Sequence, residues 1–170
     1  MASGDLKTAY GTSTDLAVNN GLEGLASSAT WVAGWESDLI DNTSNLYLDY
    51  LISGQIQVHD DAAPTVGEIR VYIVAMISDS VWPDVFDGTG SAETISLVNV
   101  RDAVCKLGAV ITNTATQNLI YPFGPFSVSA LFGGVCPPKF VIFIAHSTVT
   151  TLHTSGQVVT YQGVYQNCAP

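Results

Sequence analysis

Apolar and polar residues alternate with a period of two along most of the chain, the pattern of strands whose side chains point to opposite sheet faces. The clearest run is Glu68–Ser78. It sets Ile69, Val71, Ile73 and Ala75 on one side and Arg70, Tyr72, Val74 and Met76 on the other. Both sides are largely apolar, which predicts a central strand lying between covering layers or at a subunit contact. Lys139–His146 predicts a second buried strand. Leu46–Val58 predicts a long strand with Leu46, Leu48, Tyr50 and Ile52 on one face and a bulge at Ser53-Gly54. Shorter strands are predicted over Thr30–Glu36, Glu93–Val98, Ala103–Thr112 and Gln157–Gln166. Two more, Asn118–Tyr121 and Gly124–Val128, flank Pro122.

Between these runs lie turn signals. Asp41-Asn42-Thr43-Ser44-Asn45 and Asn113–Asn118 read as turns, Asp60–Gly67 as a polar loop, and Asp79–Ala92 as a long loop. Ser129–Gly134 reads as one helical turn ending at glycine. Residues 1–20 are rich in Gly, Ser, Thr and Asn. They read either as an arm that orders on a partner or as a frayed terminus with an edge strand at Thr8–Leu16. Residues 21–170 then form one all-β domain, an antiparallel β-sandwich, jelly-roll-like, of about eight strands.

Composition narrows the function. The 170 residues suit one domain. Only 12% are charged, against about a quarter in an average soluble domain, and 47% are hydrophobic. The net charge is −10, and the five basic residues (Lys7, Arg70, Arg101, Lys106 and Lys139) are scattered singly. Phosphate binding needs such residues clustered, so no nucleic-acid partner is expected. The apolar runs Val71–Ile77 and Phe140–Ala145 are far short of a membrane span, and no membrane partner is expected. Met1-Ala2-Ser3-Gly4-Asp5 shows no basic-then-apolar signal pattern. Cys105, Cys136 and Cys168 have neither zinc spacing nor an even count, and read as reduced, small apolar residues. Sparse charge and two-sided apolar strands together predict oligomerisation in closed cyclic symmetry.

No recognised catalytic motif surrounds His59, His146 or His153. An enzyme is not expected, nor is a cofactor or metal. Asp84 and Asp87 with loop carbonyls offer oxygens for Ca²⁺, but their spacing departs from a calcium loop and they read as solvated turn carboxylates, as do Asp60, Asp61 and Asp79. Asp87-Gly88-Thr89-Gly90 and Gly133-Gly134 lack the ending of a phosphate loop and read as turns. Trp31, Trp35, Trp82, Tyr121, Phe123 and Phe126 are candidates for stacking on sugars, with core packing as the alternative. Within the long loop, Trp82, Asp84 and Phe86 are the candidate partner-binding residues.

Gly24–Ser37, the Asn-rich turn after it and Leu46–Ile56 resemble small virion proteins encoded beside the head genes of tailed bacteriophages. So do Trp82–Gly88, Asn99-Val100-Arg101-Asp102 and Phe123–Val128, and the resemblance spans about residues 21 to 166. It implies a capsid cement (decoration) protein: a jelly-roll-like homotrimer on the outer surface of the virion, assembled in the host cytoplasm. Its partner would be the major capsid protein, whose subunits it would bridge against internal DNA pressure. No residue role carries over from the resemblance, and the N-terminal arm departs from it. Two other classes remain open. Exposed aromatics beside a polar groove would favour a carbohydrate- or receptor-binding module of a head or tail fibre. Two carboxylates facing across a cleft would favour a glycan hydrolase.

Overall fold

The two most apolar stretches of the sequence become neighbours at the centre of one sheet. In the computed structural model, which describes residues 5–59 and 64–168, β6 (Glu68–Ala75) and β10 (Lys139–His146) pair antiparallel from Phe140↔Ala75 to His146↔Ile69. On the far side of β10 lie β3 (Ala33–Glu36) and the two-residue β4 (Ile40–Asp41), and beyond β3 lies β7 (Ser91–Thr94). On the far side of β6 lies β8 (Cys105–Thr112). This sheet, sheet II, therefore runs β7-β3-β10-β6-β8.

Sheet I holds the ends of the described chain. Its order is β1-β11-β5-β9, formed by Leu6–Tyr10, Val158–Cys168, Asp49–Gln57 and Ile120–Ser127. The short β2 (Thr14–Asp15) continues the β1 edge along β11. All pairings in both sheets are antiparallel. The protein is an all-β sandwich of two antiparallel sheets, with eleven strands among the described residues.

Alternation sorts each strand into the sandwich. Tyr50, Ile52, Ile56, Phe123 and Val159 of sheet I meet Trp35, Ile69, Val71, Ile73, Phe140, Ile142 and Ile144 of sheet II, and all are buried. Leu22, Leu25 and Leu152 join this core from connecting segments. The predicted bulge is present, as a register shift between Ile52 and Gly54 against β9. A Cβ on Gly54 would lie 2.2 Å from the Val158 carbonyl oxygen and 2.8 Å from the Phe123 ring, so only glycine fits there.

A second apolar cluster lies on the outer face of sheet II. Tyr72, Val74, Cys105, Val141, Phe143 and Ala145 are buried there beneath Phe86 and Ile95. Trp31, Val32, Trp82, Val85, Val100 and Val104 pack around them. The cover is residues 76–90 and 95–97 together with α1 (Val98–Val104), whose buried Arg101 donates to the Thr30 carbonyl and to Asp102. Of the two settings expected for the two-sided strand, the chain supplies the covering layers itself.

Other departures from expectation are local. The two segments around Pro122 form one strand, β9, because an edge strand loses no ladder hydrogen bond at proline. Leu46 and Leu48 precede β5 and are exposed, and Leu46 sits at φ 52° in a turn. The helical turn is α2 (Val128–Leu131), capped by Ser127 and closed by the Gly134 N–H donating to the Ser129 carbonyl. The Thr8–Leu16 expectation resolves into β1 and β2. Residues 1–4 of the expected arm, and Asp60 and Asp61, lie outside the described residues.

Phe86 stands edge-on to Phe143 at 5.4 Å between ring centroids. Phe86→Ala should therefore lower stability by about 3 to 5 kcal/mol in urea unfolding. An unchanged midpoint would mean that the covering segment is not part of the cooperative fold.

Candidate functional site

The sandwich has one end at which three loops converge: residues 42–48, 76–90 and 132–138. β4 and β6 finish at this end and β10 begins there, so antiparallel pairing brings the loops together. Backbone bonds tie them, from Asn42 N–H to the Pro138 carbonyl (2.8 Å) and from Met76 N–H to the Lys139 carbonyl (3.1 Å). Lys139 sits at the junction, with Nζ 3.9 Å from Asp41 Oδ2 and 3.5 Å from the Asp79 carbonyl oxygen.

These loops carry large apolar side chains into solvent. Leu46 is 73% exposed, Val135 72% and Ile77 70%. Val81, also exposed, is held beside Ile77 by the Ile77 N–H donating to its carbonyl at 2.9 Å. Asp41, which ends β4, and Asp79, on the second loop, lie exposed beside them. The end is thus a mixed apolar and acidic surface, suited to a protein partner that offers apolar pockets and basic residues.

The three residues singled out from sequence share one of these loops but play different parts. Phe86, expected at a partner surface, is buried on Phe143, because the loop folds over the outer face of sheet II. Trp82 is half-buried against that cluster, and its ring lies over Gly88. Asp84 is exposed in a left-handed turn (φ 51°), and its Oδ2 accepts from Ser96 N–H at 2.8 Å. Only Trp82 and Asp84 reach the surface, and Phe86 anchors the loop that carries them.

Sequence reading passed over Glu36, which fastens this loop. Its side chain is fully buried at the end of β3 and accepts from Gly88 N–H (2.7 Å) and Asp87 N–H (3.2 Å). Asp38 accepts from Gly90 N–H (2.8 Å), and the Leu39 N–H donates to the Gly88 carbonyl (3.0 Å). Burial pushes the Glu36 carboxyl up to about 7, against the pull of the two backbone donors, with Asp87 and Glu93 adding to the rise. A lone acid closing an apolar strand, beside Trp35, was the signal available in the sequence.

The remaining candidates are structural. Burial lowers His146 to about 4; its Nε2 faces the Leu25 carbonyl at 3.0 Å and therefore carries the proton. Its Nδ1 lies 2.9 Å from Thr148 Oγ1. His153 Nδ1 is bonded by Ser155 N–H at 3.0 Å. Burial pushes the thiols of Cys105 and Cys136 up to about 12, far from thiolate reactivity. Among the described residues no group of three or more His, Cys, Asp and Glu side chains is placed to hold a metal. Trp35 and Phe123 belong to the core, Phe126 and Tyr121 pack against it, and Arg70 covers the Trp31 ring at 3.6 Å. Of the six aromatics considered for sugar stacking, Trp82 alone borders the converged loops.

Two buried groups give opposite pH dependences. The folded pKa of Glu36 lies above the usual 4.5, so its contribution to stability is present below that pH and is lost as pH rises to about 7. The folded pKa of His146 lies below the usual 6.5, so its contribution is present above that pH and is lost as pH falls to about 4. Each spans about 3 kcal/mol, and they offset one another in the shared window. Urea unfolding should show nearly flat stability from about pH 5 to 6.5 in the unaltered protein. Glu36→Gln should make stability rise with pH across that window, and a slope unchanged by the substitution would show that Glu36 ionises normally.

The chain matches no family model, no curated protein and no solved structure.

Proposed function

We propose that this chain is a structural module that acts by binding protein surfaces, and that its setting is the outer face of a bacteriophage capsid. There it would serve as a cement or decoration protein that bridges major capsid subunits. The observation that carries the reading is the converged loop end. Leu46, Ile77, Val81 and Val135 stay in solvent although both apolar clusters are complete without them. Apolar groups held in solvent on tied loops gain free energy when a partner covers them. The loops are held in place by the Asn42, Met76 and Lys139 contacts, so little ordering entropy would be lost on docking.

On a shell, the mechanism would be a clamp. Each copy would seat its loop end on a capsid subunit, and linked copies would engage several subunits at once, so weak contacts add up to firm attachment. The acidic surface would keep the unattached protein soluble and away from nucleic acid.

Co-sedimentation with empty shells of tailed phages tests this reading. The unaltered protein should pellet with the shells. Leu46→Asp with Ile77→Asp should weaken binding about 10- to 100-fold while the melting temperature holds. Shell binding indifferent to both substitutions would remove the loop end from the account. Absence of shell binding in the unaltered protein would remove the capsid setting.

A further inference from the structure

Each sheet of the sandwich has two edges, and an edge strand with spare main-chain N–H and C=O groups is a template for another strand. Three of the four edges are obstructed. β9 carries Pro122 and Pro125, which have no N–H to offer. β8 and β9 close on one another along one side of the sandwich, where a Cβ on Gly108 would lie 2.3 Å from the Phe126 ring. β7 is flanked by Gly21, whose Cβ would stand 3.0 Å from the Ala92 nitrogen. The fourth edge is β1. Among the described residues it pairs with β11 alone, in an unbroken register from Leu6↔Cys168 to Tyr10↔Val164, and it holds no proline. None of its residues enters either apolar cluster. Leu6 is 63% exposed and Tyr10 56%.

The ladder decides which groups of β1 are spare. Gly11 N–H donates to the Gly163 carbonyl (2.8 Å), one step beyond the Tyr10↔Val164 pair. Bonded pairs alternate along an antiparallel ladder, so Ala9 and Lys7 also turn their N–H and C=O groups to β11. Leu6, Thr8 and Tyr10 turn theirs to the open edge, and the side chains of these three share one side of the strand.

This edge is complementary to itself. When a second β1 is laid antiparallel about Thr8, Thr8 faces Thr8, and Leu6 of each copy faces Tyr10 of the other. Each facing pair exchanges two main-chain bonds, and the exposed Leu6 and Tyr10 side chains cover one another. Any other register pairs fewer of the three. Lys7 falls opposite Ala9 and Asp5 opposite Gly11, so no charged residue stands directly opposite its like although each copy carries a net −10. A strand that meets an identical strand group for group is what a two-fold contact requires, and it selects a second copy as the occupant.

We propose that two copies of this chain pair through β1, antiparallel about a two-fold axis at Thr8. One sheet of order β9-β5-β11-β1-β1-β11-β5-β9 then runs through both. The five-residue contact is about 17 Å long and buries less than the roughly 1,000 Å² of a permanent interface, so pairing in solution is weak, with Kd on the order of 100 μM. It becomes firm where copies are held side by side. The contact is separate from the loop end and stands whether or not the partner there is a capsid. It closes at two copies, whereas the resemblance implies three.

Sedimentation equilibrium on the full chain, up to about 1 mM, tests the proposal. The expected mass climbs with concentration from 17.9 kDa toward twice that value. Thr8→Pro removes the N–H at the axis and spares the ladder to β11, so it should weaken pairing about 10-fold or more while the melting temperature holds. Leu6→Glu with Tyr10→Glu sets like charges face to face and should weaken pairing by a similar factor. Both side chains lie outside the apolar clusters, so this variant reads the same contact if Thr8→Pro fails to fold. Mixing it with Leu6→Lys/Tyr10→Lys should restore pairing as a mixed dimer. Val110→Glu, exposed on β8, should leave pairing intact. A mass that stays at 17.9 kDa throughout, a three-copy assembly, or pairing indifferent to both β1 variants would overturn the proposal.

Discussion

The structure depends on burying both faces of β6 and β10. These strands carry Ile69, Val71, Ile73, Phe140, Ile142 and Ile144 toward sheet I, and Tyr72, Val74, Val141, Phe143 and Ala145 away from it. A two-layer sandwich would leave the second set in water, and full burial of one large apolar side chain is worth about 1.5 to 3 kcal/mol. The chain meets this constraint with a third layer, residues 76–90 and 95–97 with α1. The layer is held by Phe86 on Phe143 and by the Glu36 carboxylate on the Asp87 and Gly88 amides. The long loop is thus a structural cover, and the end of it that remains in solvent becomes part of a candidate contact surface.

Sparse charge alone therefore does not call for a second copy. Two-sided apolar strands no longer require a partner, because their outer face is already covered. What still points to partners is narrower. Apolar side chains still project from the loop end.

Much of the sheet framework was legible in the sequence. β6 and β10 follow from period-two alternation, and the bulge at Gly54 from a glycine interrupting a strand. Local pattern failed where tertiary position decided the outcome. Pro122 reads as a strand break, yet β9 runs through it as an edge. Val98–Val104 reads as the end of one strand and the start of another, yet its buried Arg101 anchors a short helix. Whether the outer face of β6 meets a partner or the chain's own loop depends on residues far away in sequence, and no local signal distinguishes the two. The same holds for the candidate site. Trp82, Asp84 and Phe86 are close in sequence, but the loops that carry Leu46, Ile77 and Val135 reach one end of the sandwich only through the pairing of β4 and β6 with β10.

The central claim is that the third layer belongs to the fold of the isolated chain. Native-state hydrogen exchange at the amides of Asp87 and Gly88 tests it most directly, since both donate to buried Glu36. The account predicts slow exchange in dilute solution, with an opening free energy close to that of the β10 amides. Fast exchange at these two amides, with β10 still protected, would show a cover that opens independently of the sandwich and would contradict the account.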